Sequence, residues 1–129
     1  MRGNDQVIAK LNEALRESIG EMKHAEELLE RILFLDGTPS MQPLPLTIGA
    51  DVRAQIENDL KLELNAVTMY NDAVRLARDG NDNASSELFE RLLKDEEEHV
   101  DFLEAQLHQI KQIGYERYLS QQIEGNEAK

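Results

Sequence analysis

Apolar residues recur at helical spacing along almost the whole chain, and no segment alternates at the period of two that a half-buried strand requires. Val7, Ile8, Leu11, Leu15, Ile19, Met22, Leu28, Ile32 and Leu35 mark one face, predicting a first long helix from near Gln6, with Asn4 or Asp5 as its cap. Gly37 followed by Pro39 ends it. That element of roughly 30 residues would be about 45 Å long. Gly20, in its middle, is roughly 1 kcal/mol less favourable in a helix than alanine and marks the expected kink. A second stripe, Ile56, Leu60, Glu63, Val67, Tyr70, Val74 and Ala77, predicts another long helix with Asp51 near its cap. It stops at the turn-rich run Asp79-Gly80-Asn81-Asp82-Asn83. The third stripe reads Phe89, Leu92, Glu96, His99, Leu103, Leu107 and Ile110, with Asn83 or Ser85 as cap and Gly114 as end. Tyr115 to Ile123 predicts a short last helix, and Glu124 to Lys129 a frayed tail.

Between the first two helices lies Thr38 to Gly49, whose three prolines exclude regular helix. Twelve extended residues reach about 40 Å. That permits a crossover between parallel helices, where a short loop would force an antiparallel hairpin. The chain of 129 residues is long enough for a single domain, residues 1–129, with one core.

Composition narrows the chemistry. Cysteine is absent, which excludes disulfides and thiolate metal sites. The start, Met1-Arg2-Gly3-Asn4-Asp5, lacks the apolar run of a signal peptide, and no stretch approaches the ~18 apolar residues of a membrane span. A cytoplasmic protein is expected. The formal net charge of −12 disfavours nucleic acid and anionic lipid as partners and favours cations.

The stripes themselves carry ionisable groups. Glu21-Met22-Lys23-His24 and Glu96-Glu97-Glu98-His99 are two Glu-x-x-His pairs, and Glu63 occupies a stripe position on the helix between them. Residues three apart on a helix are neighbours, so each pair aims a carboxylate and an imidazole at one point. Carboxylates rarely enter a core unless paired or metal-bound. A lone Glu-x-x-His on an acidic helix is usually solvent-exposed. Five such groups at matched positions in three helices, Glu21, His24, Glu63, Glu96 and His99, form the pattern of a di-iron or di-manganese four-helix bundle. Oxygen and imidazole donors without sulfur suit iron or manganese, and zinc also fits. Met22 lies about 100° around the helix from Glu21. Its spacing reads as core or interface packing. His108 lies off the stripe, and the tyrosines and Phe102 read as packing residues.

At these residues the chain resembles the bacterioferritin family. Glu17-Ser18-Ile19-Gly20-Glu21-Met22-Lys23-His24-Ala25-Glu26-Glu27-Leu28, continuing through Arg31 to Gly37, is similar to that family's second helix. Leu62-Glu63-Leu64 resembles its third, and Asp95 to Glu104 its fourth. Met1-Arg2-Gly3, Val7-Ile8 and Leu11 to Leu15 are similar to its start. The resemblance implies an all-α, ferritin-like bundle that self-associates into a 24-subunit cage built of dimers. It implies iron storage and detoxification, with Fe(II) oxidised by dioxygen or peroxide at a di-iron ferroxidase centre and ferric mineral kept inside. Glu21, His24, Glu63, Glu96 and His99 would hold the iron. Met22 would bind haem b at a two-fold subunit interface, in place of the packing role its spacing suggests.

Against that family, on the order of 30 residues, about eight turns at 3.6 per turn, are missing between Arg16 and Glu17. They include the first-helix glutamate ligand and the Gln-Tyr that usually follows it. The expected fold therefore has one long helix mostly missing: three long helices plus a short C-terminal one, with one wall of the core exposed. The alternative function is a truncated haem-binding or structural cage subunit without ferroxidase turnover. A third is a small di-metal, oxygen-handling protein that forms no cage.

Overall fold

A computed structural model describes residues 1–18, 22–40 and 48–127, with backbone only for residues 16–18, 22 and 124–127. Five helices and no strand occur among the described residues: α1 (Asp5–Ser18), α2 (Met22–Phe34), α3 (Val52–Asp79), α4 (Asn83–Ile113) and α5 (Tyr115–Glu127). The ferritin-like helical bundle expected from the sequence is present.

The expected first long helix is instead two short ones. The amide of Gly3 donates to the carbonyl of Leu35 at 2.8 Å, so the start of α1 lies beside the end of α2 and the pair is antiparallel. Gly20, where a kink is expected, lies outside the described residues. The physical reason is burial. One straight helix on the α3–α4 pair would leave a three-helix core with an open wall. Folding back lets Val7, Leu11, Ala14 and Leu15 of α1, Leu28 and Ile32 of α2, and Leu35 just past its end close a four-helix core against α3 and α4. All seven are buried to within 1% of full. Each larger one contributes about 1.5–3 kcal/mol, against roughly 1 kcal/mol for an unfavourable glycine.

Each helix end is set by local chemistry. Asn4 Oδ1 accepts from the amide of Gln6 at 2.8 Å and caps α1. Asp51 caps α3 by accepting from the amide of Ala54 at 2.8 Å. The expected cap of α4, Asn83 or Ser85, is instead Asp82, whose side chain accepts from the amide of Ser85 at 3.0 Å. An aspartate one residue earlier reaches the same orphan amide with a formal charge beside the helix N-terminus. α2 and α3 end alike. The amide of Gly37 returns to the carbonyl of Ile32 at 2.9 Å, and that of Asp82 to Ala77 at 2.8 Å. In each, the preceding residue takes a left-handed conformation: Asp36 at φ 59° and Asn81 at φ 58°. Gly37 is required for space, because a Cβ there would lie 2.7 Å from Ile8 Cγ2. Asp36 carries a Cβ where glycine is preferred. Asp36→Gly is expected to raise stability by roughly 1 kcal/mol, measured as a higher urea midpoint at unchanged slope.

The ends of α2 and α3 and the starts of α1 and α4 lie together. Arg31 of α2 donates through Nη2 to Asp82 Oδ1 at 2.7 Å and through Nε to Ser85 Oγ at 2.9 Å. α2 and α3 therefore run parallel, as a connection of that length allows. Asn12 on α1 fastens its start, donating to the carbonyl of Thr38 at 3.0 Å and accepting from the amide of Ser40 at 2.7 Å. At the far end, Tyr115 of α5 accepts through Oη from the amide of Val52 at 3.0 Å. No helix among the described residues is long and apolar enough to cross a membrane.

Asp82 is the knot of the closed end. Burial alone would raise its carboxyl pKa. The hydrogen bonds from the Ser85 hydroxyl and amide, and the bond and charge of Arg31, outweigh that and hold it below the usual value near 3.8. A carboxyl whose folded pKa is lowered contributes stability above its unfolded value and loses it as pH falls through the folded one. Asp82→Asn keeps a capping oxygen but loses the charge facing Arg31. It is expected to lower stability by about 2 kcal/mol at neutral pH, and the gap to the unaltered protein should close as pH falls below about 4. Denaturant curves at neutral and acidic pH check this; a gap independent of pH sinks it.

Helix lengths position the site. At 1.5 Å per residue, α1 and α2 are each about 20 Å long, and α3 and α4 each exceed 40 Å. The short pair covers only one half of the long pair. Along α3, Tyr70, Val74 and Ala77 are buried, whereas Ile56, Leu60, Glu63 and Val67 of the same stripe are only half-buried. Along α4, Phe89, Leu92 and Glu96 are buried, then His99, Leu103 and Leu107 are half-buried. The expected exposed wall is confined to this half. Phe102, expected to pack, is 62% exposed there, and among the described residues no facing helix lies over it. Glu63, Glu96 and His99 sit where the covered half ends.

Candidate metal centre

His24 lies in the first turn of α2, Glu63 on α3, and Asp95, Glu96 and His99 on α4. The stripe that buries Phe89 and Leu92 turns Glu96 and then His99 toward the same interior line. Glu96 is 5% exposed and His24 8%. Glu96 spans the two imidazoles: Oε1 lies 3.7 Å from His24 Nδ1, and Oε2 lies 3.4 Å from His99 Nδ1. Glu63 Oε2 approaches His99 Nδ1 at 3.7 Å. The ligand atoms of Glu63, Glu96 and His99 all lie within 4.8 Å of one another.

These separations exceed a direct hydrogen bond. An ion with ligands at about 2.1 Å holds adjacent donor atoms roughly 3 to 3.5 Å apart. The imidazole–carboxylate spacing is therefore close to what a shared cation would set. The donors, imidazole nitrogen and carboxylate oxygen without sulfur, fit iron or manganese, and zinc also. A carboxylate as buried as Glu96 needs compensating positive charge or donors, and a cation between the imidazoles would supply it. Toward the uncovered half, a pocket of about 290 Å³ opens beside the site, lined by Asp59, Leu62, Glu63, His99, Phe102 and Leu103.

Four expected ligands, His24, Glu63, Glu96 and His99, thus come together across three helices. Glu21 lies outside the described residues, as does the side chain of Met22, whose backbone opens α2. One participant escaped the sequence reading. Asp95 Oδ2 lies 2.9 Å from His24 Nε2. In sequence it belongs to the run Asp95-Glu96-Glu97-Glu98, which resembles a solvated face, and its partner is 71 residues away. No local spacing reports such a pair.

A family model for the ferritin-like domain matches residues 9–113. The chain belongs to the ferritin-like family. Its relatives are bacterioferritins. The chain is 46% identical over 103 residues to the bacterioferritin of Brucella melitensis, covering 79% of this chain and 64% of that protein. To that of Mycobacterium avium it is 42% identical over 106 residues, covering 81% and 67%. It therefore spans about two thirds of the length of these bacterioferritins. The solved structure of Mycobacterium tuberculosis bacterioferritin BfrA superposes with a TM-score of 0.89 at 32% identity, covering 94% of this chain and 96% of that one. The family resemblance and the ferritin-like bundle expected from the sequence are both borne out.

Proposed function

We propose that this chain is an iron-storage and iron-detoxifying protein whose substrate is Fe(II), oxidised by dioxygen or peroxide at a di-iron centre. One observation carries the reading: the buried Glu96 carboxylate faces His24 with one oxygen and His99 with the other. A carboxylate placed this way would offer one oxygen to an ion on each side. Glu63 adds a second carboxylate on the His99 side, and Glu21 is assigned to the His24 side by its Glu-x-x-His spacing. Two iron ions held so supply the electrons for reducing the oxidant. The protein's own contribution is to gather the donors, neutralise the ions and keep the covered side dry through Leu28, Leu92 and Tyr70. Metal-free protein mixed anaerobically with Fe(II), then given oxygen, should develop ferric absorbance faster than a buffer control. A rate equal to the control sinks the ferroxidase reading.

The same proposal extends to assembly and cofactor by family membership. The chain self-associates as a homo-oligomer, in the fullest case a cage of dimers storing ferric mineral in the cytoplasm. Light scattering separates such a cage from a 14.7 kDa monomer or its dimer. Haem b binds through Met22 at a two-fold interface. Met22→Leu is expected to abolish haem uptake while leaving Fe(II) oxidation within about 2-fold, and full haem content in that variant removes the assignment.

A second reading is favoured by the uncovered half of the bundle. The His99 side chain is 43% exposed, and the first-helix glutamate of the family is missing. A subunit of this kind would bind metal or haem and assemble without turnover. The same oxygen-pulse experiment decides between the two, with bound iron but no accelerated oxidation supporting this one.

A further inference from the structure

The pocket of about 290 Å³ on the uncovered half is built from two matching helical triplets: Asp59, Leu62 and Glu63 on α3, and His99, Phe102 and Leu103 on α4. Residues three and four apart share one helix face, so each triplet lines one wall. The two ends of the pocket differ. At the inner end Glu63 Oε2 approaches His99 Nδ1 at 3.7 Å, and both belong to the donor group that could close on a metal ion. Asp59 is outside that group. It lies four residues before Glu63, about 6 Å farther along α3 toward the open end. α3 and α4 run antiparallel across a short turn, so Leu103, four residues past His99, comes level with Asp59. An apolar side chain thus stands where a metal ion would need a second donor.

Asp59 is half-buried. Its Oδ1 accepts from Gln55 Nε2 at 2.8 Å, and among the described residues no basic side chain pairs with it. A partly desolvated carboxylate is costly without a compensating cation. The walls around it are Leu62, Leu103 and the ring of Phe102, which is 62% exposed. Three apolar side chains beside one unmatched charge favour a ligand of the same make-up. We infer that this end of the pocket binds a small organic ammonium ion, its charge at Asp59 and one aromatic group against Leu62, Phe102 and Leu103. The formal charge of −12 favours such a cation and repels an anion of equal size. The volume lies at the low end of the roughly 300–1,000 Å³ of ligand sites and suits a single ring. No metal is needed for this, so the site stands apart from the iron reading.

The test is titration of the full chain, metal-free, with phenethylammonium, followed by NMR of the Leu62 and Leu103 methyls and the Phe102 ring. Salt at ~0.1 M screens diffuse attraction to the acidic surface. The signals should shift saturably, with half-saturation on the order of 1 mM for so few ligand atoms. Phenylacetate, an anion of similar size, and ethylammonium, a cation without the ring, should each bind at least about 10-fold more weakly. Asp59→Asn keeps the shape and the bond from Gln55, and should weaken binding roughly 3- to 10-fold. Phe102→Ala, which removes an exposed ring, should weaken it by roughly as much. Equal binding of phenylacetate or ethylammonium overturns the proposal, and so does unchanged affinity in either variant. A protein that takes up phenethylammonium but neither Co(II) nor Fe(II) supports the proposal and strikes the metal-centre reading. The reverse pattern strikes the proposal alone.

Discussion

Replacing Glu96 by alanine is expected to abolish Fe(II) oxidation above the buffer background, a loss of at least about 100-fold in initial rate. Changes to residues that only hydrogen-bond a ligand reach that size in metal sites, and Glu96 would be a direct ligand. Its two oxygens stand between His24 and His99, at 3.7 and 3.4 Å. No other residue among those described reaches both imidazoles. Glu63→Ala should be milder, because Glu63 approaches only His99, at 3.7 Å. The informative comparison is stoichiometry. Co(II) titration of the Glu63 variant should retain some binding, whereas the Glu96 variant should lose both ions together. Equal residual binding in the two variants would contradict a bridging role. Loss of the buried carboxylate should leave the metal-free fold intact, so a native circular-dichroism spectrum accompanies the loss of activity.

Phe89→Ala is expected to lower the free energy of unfolding by about 3–5 kcal/mol. Phe89 is fully buried and packs its ring against Tyr70, with centroids 6.3 Å apart and planes tilted 51°. Single domains are stable by only about 5–15 kcal/mol in total. This bundle buries its stripes over one half alone, so such a loss removes a large share. Phe102→Ala, on the same helix, should change stability by no more than about 0.5 kcal/mol, because that ring is 62% exposed. Urea unfolding of the two variants tests the uneven core directly. Similar losses at both positions would mean that the uncovered half is packed in solution.

The contrast between two phenylalanines thirteen positions apart on one helix marks the limit of sequence patterning. Periodicity assigns both to a helix and places neither against a partner. The same limit explains the first helix. Its stripe from Val7 to Leu35 is continuous in phase, and a straight helix and a hairpin would show nearly the same pattern. The reversal is decided by contacts such as Gly3 with Leu35 and Asn12 with Thr38, which join residues 26 or more positions apart. Cap placement slipped for a smaller reason. Asp82, Asn83 and Ser85 all have capping side chains, and only the backbone path selects Asp82.

The candidate site was more legible than the fold around it. Glu63, Glu96 and His99 stand out because a charged residue on an apolar stripe is costly unless compensated. His24 stands out by its spacing from Glu21. These are local signals, readable from identity and position alone. Asp95 lacked one, since its role depends on an α2–α4 approach that no short-range spacing encodes.

By itself, then, the sequence determined the helical class, the donor types and the positions from which donors enter the interior. The spacing of apolar and ionisable residues along a helix sets which way each points. The tertiary structure alone decided that the first element folds back, that half of each long stripe is buried, and that Asp95 backs His24. Those outcomes depend on which helix lies opposite, and burial is a property of the facing pair rather than of either strip of sequence.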